Sequence, residues 1–265
     1  MNIDIDNPKI YFKTSPYGTY CLIEKDLISD VIQDRDIWEP HVWYFYYNII
    51  KPEYIIIDAG ANIGFHTIQF CALANYGKIY AFEPQKLLYN ILTTNILLNG
   101  ATNIVEQYRA GLGDINDKIK NLTMSDVEEQ IFSTYKINYG GRKLIESDCG
   151  AIKMYTIDDL NLDKLDFIKI DVQGFEENVI NGGINTIKKC NPIIFFEDSY
   201  NKKTLESRSN TIYLLRNLGY TILRILYNNN EDCIAINKDI HIEELKFINN
   251  QSKYIITDWL EVLHD

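Results

Sequence analysis

Tyr54–Thr67 reads YIIIDAGANIGFHT. An apolar run, Tyr54–Ile57, ends in Asp58; Gly60, Asn62 and Gly64 follow, and apolar residues then recur at helical spacing. This is the pattern of a buried parallel strand, a tight glycine turn and a helix that begins at the turn. Such a turn lets a ligand lie against bare backbone at the positive end of a helix. A dinucleotide fingerprint, G-x-G-x-x-G, would carry glycine where Asn62 stands, and a pyrophosphate at the turn would meet Asp58 as a like charge. The turn therefore favours a cationic ligand. S-adenosylmethionine, with its ammonium and sulfonium groups, fits, and Asp58, Gly60, Ala61, Asn62 and Gly64 are the expected contacts.

Outward from the turn, strands and helices alternate. A strand over 78–82 ends at Glu83-Pro84, a helix spans 86–98, and a strand over 104–108 leads into a turn at Gly111-Leu112-Gly113-Asp114. Glu83, at the next strand end, has two oxygens that match the two hydroxyls of a ribose; Pro84 follows it, and Asp114 is a candidate acceptor for the adenine amino group. The alternation resumes with a short N-capped helix at 156–160, a strand over 167–170 ending in Asp171, a helix over 176–187 and a strand over 192–196 ending in Glu197-Asp198. A helix over 204–218 and strands over 220–226 and 233–236, joined by Asn- and acid-rich residues, close the series as an antiparallel pair. Such alternation predicts an α/β fold with a parallel sheet and right-handed crossovers. Residues 1–50 read as an N-terminal hairpin and a helical lid broken near Glu39-Pro40. Residues 115–150 read as a β-rich insertion on the substrate side, and 239–265 as a tail draped on the core.

The 265 residues carry a net charge of -11, with 46% hydrophobic and 24% charged residues, as suits a globular protein with a sizeable core. The acidic field disfavours a nucleic-acid partner, and no cluster of Lys and Arg offsets it. Five scattered cysteines without a CxxC pair point to a reducing compartment rather than a disulfide framework or zinc site. The acidic N-terminal segment, broken by Pro8, does not read as a signal peptide, and no apolar run is long enough for a bilayer. The expectation is cytoplasmic, with no membrane association; the oligomeric state is not readable.

DAGANIGFHT, YAFEPQ, AGLGD, YTIDDL, FIKIDVQGFEENVINGG and PIIFFED, in this order, resemble the FkbM family of S-adenosylmethionine-dependent methyltransferases over roughly residues 52–236. The resemblance implies a class I methyltransferase domain over 51–265: a seven-stranded, mostly parallel, Rossmann-like sheet with helices on both faces and an antiparallel last strand. It also implies O-methylation of a hydroxyl on a sugar or other small molecule. The family pattern I-K-I-D-V-E-G-x-E is here IKIDVQGFE, so Gln173 replaces a Glu. Gln can substitute if that residue only orients its neighbours.

Methyl transfer is an in-line displacement, so the protein chiefly aligns the acceptor oxygen, methyl and sulfur. A hydroxyl also needs a base, or a metal that lowers its pKa. Asp171 and Glu197 are the catalytic candidates, and with Asp198 they could hold Mg2+. His66 and His41 are weaker candidates, more simply read as packing residues. The competing functions are a catalytically impaired module that keeps the cofactor pocket, a protein or RNA methyltransferase, and a nicotinamide-dependent oxidoreductase. The aromatic group from Trp38 to Tyr47 reads as interdomain packing rather than a sugar platform.

Overall fold

The computed structural model describes residues 8–115, 120–126, 129–130, 136–198, 210–225, 232–250 and 255–256. An N-terminal hairpin, β1 (Ile10–Ser15) and β2 (Gly18–Ile23), is followed by α1 (Leu27–Arg35) and α2 (Pro40–Ile49). The alternating part comprises β3 (Ile55–Ala59), α3 (Phe65–Leu73), β4 (Lys78–Phe82), α4 (Lys86–Leu98) and β5 (Val105–Tyr108). Six short strands follow: β6 (Gly111–Leu112), β7 (Leu122–Met124), β8 (Glu129–Gln130), β9 (Lys136–Ile137), β10 (Leu144–Glu146) and β11 (Met154–Tyr155). Then come a 3-10 turn at Ile157–Leu160, β12 (Phe167–Ile170), α5 (Glu176–Asn181), α6 (Ile184–Cys190) and β13 (Ile193–Glu197). The chain closes with α7 (Asn210–Asn217), β14 (Thr221–Ile225), β15 (Asp232–Ile236), α8 (Ile242–Asn249) and β16 (Ile255–Ile256).

The main sheet has the order β16-β14-β15-β13-β12-β3-β4-β5. The block β13-β12-β3-β4-β5 is parallel, and β15 runs antiparallel to β13 and β14. Seven strands thus follow the expected arrangement, and two residues of the tail add an eighth at the edge. The order reverses between β3 and β12, so both strands end at the crevice where open α/β sheets bind ligands. The parallel strands are apolar runs because both faces are covered. One face packs on α3, α4, α2 and the hairpin, and the other on α5, α6 and α7. Residues 20–23 of β2 have no solvent exposure. Asn95 of α4 holds the edge of that strand, accepting from Cys21 N at 2.6 Å and donating to Cys21 O at 3.2 Å. The N-terminal segment and the sheet therefore share one core.

Three local readings change. The helix expected over 176–187 is broken at Gly182-Gly183, where Gly182 lies so close to the Gly113 carbonyl that a Cβ would sit 1.9 Å from it. Gly111-Leu112, expected as a turn, is strand β6 paired in parallel with β11. The tail contributes α8, whose Phe247 packs on Tyr44 and Phe45, and β16 on the sheet edge. The first part of the helix expected over 204–218 and the loop between β14 and β15 lie outside the described residues. Among the described residues no helix is long and apolar enough to cross a membrane.

Candidate active site

The glycine turn is built on three left-handed residues, Gly60 (φ 78°), Asn62 (φ 55°) and Gly64 (φ 86°). Asn tolerates this conformation better than other side chains, so replacing the fingerprint's middle glycine leaves the turn intact. Gly60 has a second constraint: a Cβ there would lie 1.8 Å from the Asp171 carbonyl. Gly60→Ala is expected to lower the melting temperature and abolish cofactor binding together, because β3 and β12 cannot both keep their ends in place. Gly174→Ala is the control, since Gly174 is also left-handed (φ 102°) but nothing lies within 4 Å of its Cβ position. If both variants melt alike, the close approach is not what matters.

Under the turn, Asp58 is fully buried. It accepts from Thr67 Oγ1 at 2.6 Å and lies 3.4 Å from Lys169 Nζ. Lys169 is also buried and donates to the Gly60 carbonyl at 3.1 Å. Register explains the meeting, because Asp58 and Lys169 are paired positions on adjacent parallel strands. Burial works against the Lys169 charge, but Asp58, Asp171 and Glu39 outweigh it and hold its pKa above the ordinary lysine value. The Asp58 charge that the sequence sets against a pyrophosphate is thus compensated from beneath.

Glu83 fixes the other side of the turn. One carboxylate oxygen accepts from Asn62 N at 3.0 Å and the other from Gln85 N at 2.8 Å. Burial raises its pKa to about 7, against the pull of these two bonds. Two clefts open here. The first, about 440 Å³, is lined by Gly60, Phe82, Glu83, Pro84, Leu112, Met124, Leu144 and Asp171, among others. The second, about 750 Å³, takes walls from Glu39, Asn62, Asp171, Gln173, Glu197 and Asp232, with Trp38 and Ile28 from the N-terminal segment. A recess beside them is lined by Gly60, Ala61, Asn62, His66 and Asp171. Asp171 borders all three spaces. Of the expected cofactor contacts, Asp58, Gly64 and Asp114 line none of them.

Gln173, left-handed at φ 55°, points its amide between two acids. Its Nε2 donates to Asp171 at 2.9 Å and to Glu197 at 3.3 Å. A carboxyl group at this position could make either bond only if one of the two acids in it held a proton. Glu197 stands opposite Asp232 in the β13–β15 register. Burial, then the charges of Asp171, Asp232, Glu39 and Glu176, raise its pKa to about 8. Asp232 is held by His41 Nε2 at 2.9 Å. The metal expectation is corrected: Asp198 is buried and ion-paired with Arg224 at 2.6 Å, so it does not join Asp171 and Glu197. Among the described residues no group of three His, Cys, Asp or Glu is disposed to hold a metal ion.

Glu39 was not among the sequence candidates. It caps α2 in a left-handed conformation (φ 48°), an unusual backbone for a side chain of this kind. His66 Nε2 lies 3.0 Å from its carboxylate. Burial would raise the Glu39 pKa, but the His66 bond and the charges of His66, Lys169 and His41 hold it below the ordinary carboxylate value. Its signal was the Glu-Pro break in the lid. Trp38 beside it faces the second cleft, while Phe45 and Tyr46 are buried in the core.

A reversal of strand order, a glycine turn below it and an acid at each adjoining strand end define a class I methyltransferase fold. The chain belongs to the FkbM methyltransferases: the family described as Methyltransferase FkbM domain matches residues 58–222. Methyltransferase sdnD of Sordaria araneosa is 26% identical over 153 residues, covering 48% of this chain and 59% of that protein. The hexuronic acid methyltransferase AglP of Haloferax volcanii is 26% identical over 144 residues, covering 53% of this chain and 54% of that protein. The chain thus spans little more than half the length of these relatives. The crystal structure of an FkbM methyltransferase from Methylobacillus flagellatus is similar at a TM-score of 0.48 and 20% identity, over 70% of this chain and 44% of that one.

Proposed function

We propose that this methyltransferase binds S-adenosylmethionine in the first cleft and methylates a hydroxyl oxygen of a sugar or other small polyhydroxyl molecule in the second. The observation that carries the reading is Asp171, which borders both clefts and is tied through Gln173 to Glu197. The cofactor supplies an electrophilic methyl on a cationic sulfur. Glu83 would accept the ribose hydroxyls while holding the turn, and the apolar walls around Phe82 and Leu112 would receive the adenine. Asp171 would orient the acceptor hydroxyl at the junction, and Glu197 would take its proton as the methyl passes to oxygen and the carbon–sulfur bond breaks, leaving S-adenosylhomocysteine. Gln173 donates to both acids, which supports a positioning role and weighs against an impaired active site.

A Glu197 base gives a definite pH dependence. Its pKa is raised to about 8, so the proton-accepting form grows as pH rises. The initial rate of S-adenosylhomocysteine formation should climb from pH 6, pass half its maximum near pH 8 and level off above about pH 9, and Glu197→Gln should lose most of the rate. Stability runs the other way. The folded chain holds this proton more tightly than the unfolded one, so the Glu197 contribution to stability falls between about pH 4.5 and 8 as pH rises. The direct test is mass-spectrometric analysis of products from a panel of glycosides. A methyl ether supports the reading; methylation at nitrogen or carbon, or no acceptor-dependent turnover, refutes it.

A further inference from the structure

We infer that the second cleft selects a polyhydroxyl acceptor that carries an ammonium group and no anionic group, an amino sugar by class. The inference rests on the proposed division into cofactor and acceptor clefts. Glu39, Glu197 and Asp232 line the second cleft but neither the first cleft nor the recess beside the turn. They are therefore additional to Asp171, which stands where the cationic end of the cofactor would reach. Lys169 is the one lysine or arginine among the described lining residues. Its ammonium is already engaged by Asp58, the Gly60 carbonyl and Asp171. His66 and His41 are occupied by Glu39 and Asp232. At pH 6.5 Glu197, its pKa raised to about 8, is largely protonated; among the described residues the three cations, even with both imidazoles protonated, still face four carboxylates: Asp58, Asp171, Glu39 and Asp232.

Two groups on different elements register this field. Glu197 on β13 is pushed up by burial and then by Asp171, Asp232, Glu39 and Glu176. Tyr46 on α2 is buried, its hydroxyl has no hydrogen-bond partner among the described residues, and burial together with Glu39, Asp58, Asp232 and Asp171 drives it well above the ordinary phenol value. A carboxylate brought into the cleft would meet the same repulsion that these two groups meet, and an ammonium would relieve it. Trp38 is part of the cleft wall and adds an aromatic side chain to it. Trp38, Glu39 and Asp232 all lie outside the span matched by the family, 58–222. Two of the three distinguishing acids, Glu39 and Asp232, thus come from parts of this chain that the family pattern does not cover, while Glu197 lies within it, and the preference opposes a hexuronic acid acceptor.

The test uses the full chain saturated with S-adenosylhomocysteine at pH 6.5. Methyl glucosaminide, methyl glucoside and methyl glucuronide, three pyranosides that differ in charge, are titrated by calorimetry. The expected order is glucosaminide tightest and glucuronide weakest, with about tenfold or more between the extremes. Added salt should narrow that gap in the wild-type protein, a readout that needs no variant. Asp232→Asn and Glu39→Gln should each shrink it several-fold. A glucuronide that binds as well as the glucosaminide, a glucoside that outranks the glucosaminide, or no glycoside binding beside bound S-adenosylhomocysteine would overturn the inference and leave the cofactor reading standing. Failure to bind S-adenosylhomocysteine at all would instead remove the reading on which it rests.

Discussion

Lys169→Met is expected to lower the unfolding free energy by about 3–5 kcal/mol, the range for removing one partner of a buried ion pair. Asp58 has no solvent exposure, and its contacts are the Thr67 hydroxyl and the Lys169 ammonium. Methionine fills a similar volume but leaves the carboxylate charged in a dry site, and it frees the Gly60 carbonyl that Lys169 holds. Urea unfolding measures the loss. The double variant Asp58→Asn/Lys169→Met should recover a large part of it, because an amide tolerates burial far better than an unpaired charge. A single variant within about 0.5 kcal/mol of wild type, the usual size of a surface effect, would mean that the pair contributes no more than an exposed one.

Glu83→Gln should weaken S-adenosylmethionine binding by about 100-fold or more, since hydrogen bonds to a charged group each contribute roughly 1.5–3 kcal/mol. The carboxylate does two jobs at once. It accepts from the backbone N–H groups of Asn62 and Gln85, and it lines the first cleft, where the cofactor diol would bind. An amide can present an oxygen to only one of those N–H groups and sets its own N–H2 against the other. Because burial raises the Glu83 pKa to about 7, wild-type affinity should also rise between pH 6 and pH 8 as the acceptor form fills. Titration calorimetry at both pH values checks each point. Unchanged affinity in the variant would remove Glu83 from the cofactor site.

Both predictions concern residues whose partners differ greatly in legibility. Glu83 could be picked out from the sequence because it closes an apolar strand just after a glycine turn, and in alternating α/β chains such ends gather at one edge. Its backbone partners lie within 21 residues, in segments already read as a turn and a helix start. Lys169 gave a weaker sign: a lone lysine inside FIKI, on a strand buried along its length. Its partner lies 111 positions away, and only the β3–β12 register makes them neighbours. Asp198 carries a local sign of its own. Adjacent residues at a strand end point to opposite faces, so Glu197 and Asp198 are poorly disposed to share one ion, and Asp198 indeed turns to Arg224.

By itself, the sequence determined the alternating α/β architecture, the left-handed turn at Gly60–Gly64 and the acids at the strand ends, because hydrophobic period, glycine placement and strand punctuation are local properties. The tertiary structure alone decided how the charges are shared. It set Lys169 beneath Asp58, brought Glu39 from the lid to His66, and stood Glu197 opposite Asp232. The physical reason is that electrostatic neighbourhoods depend on strand register and on how a remote segment folds back across the sheet. Those are set by the packing of the whole core, which no single stretch of sequence encodes.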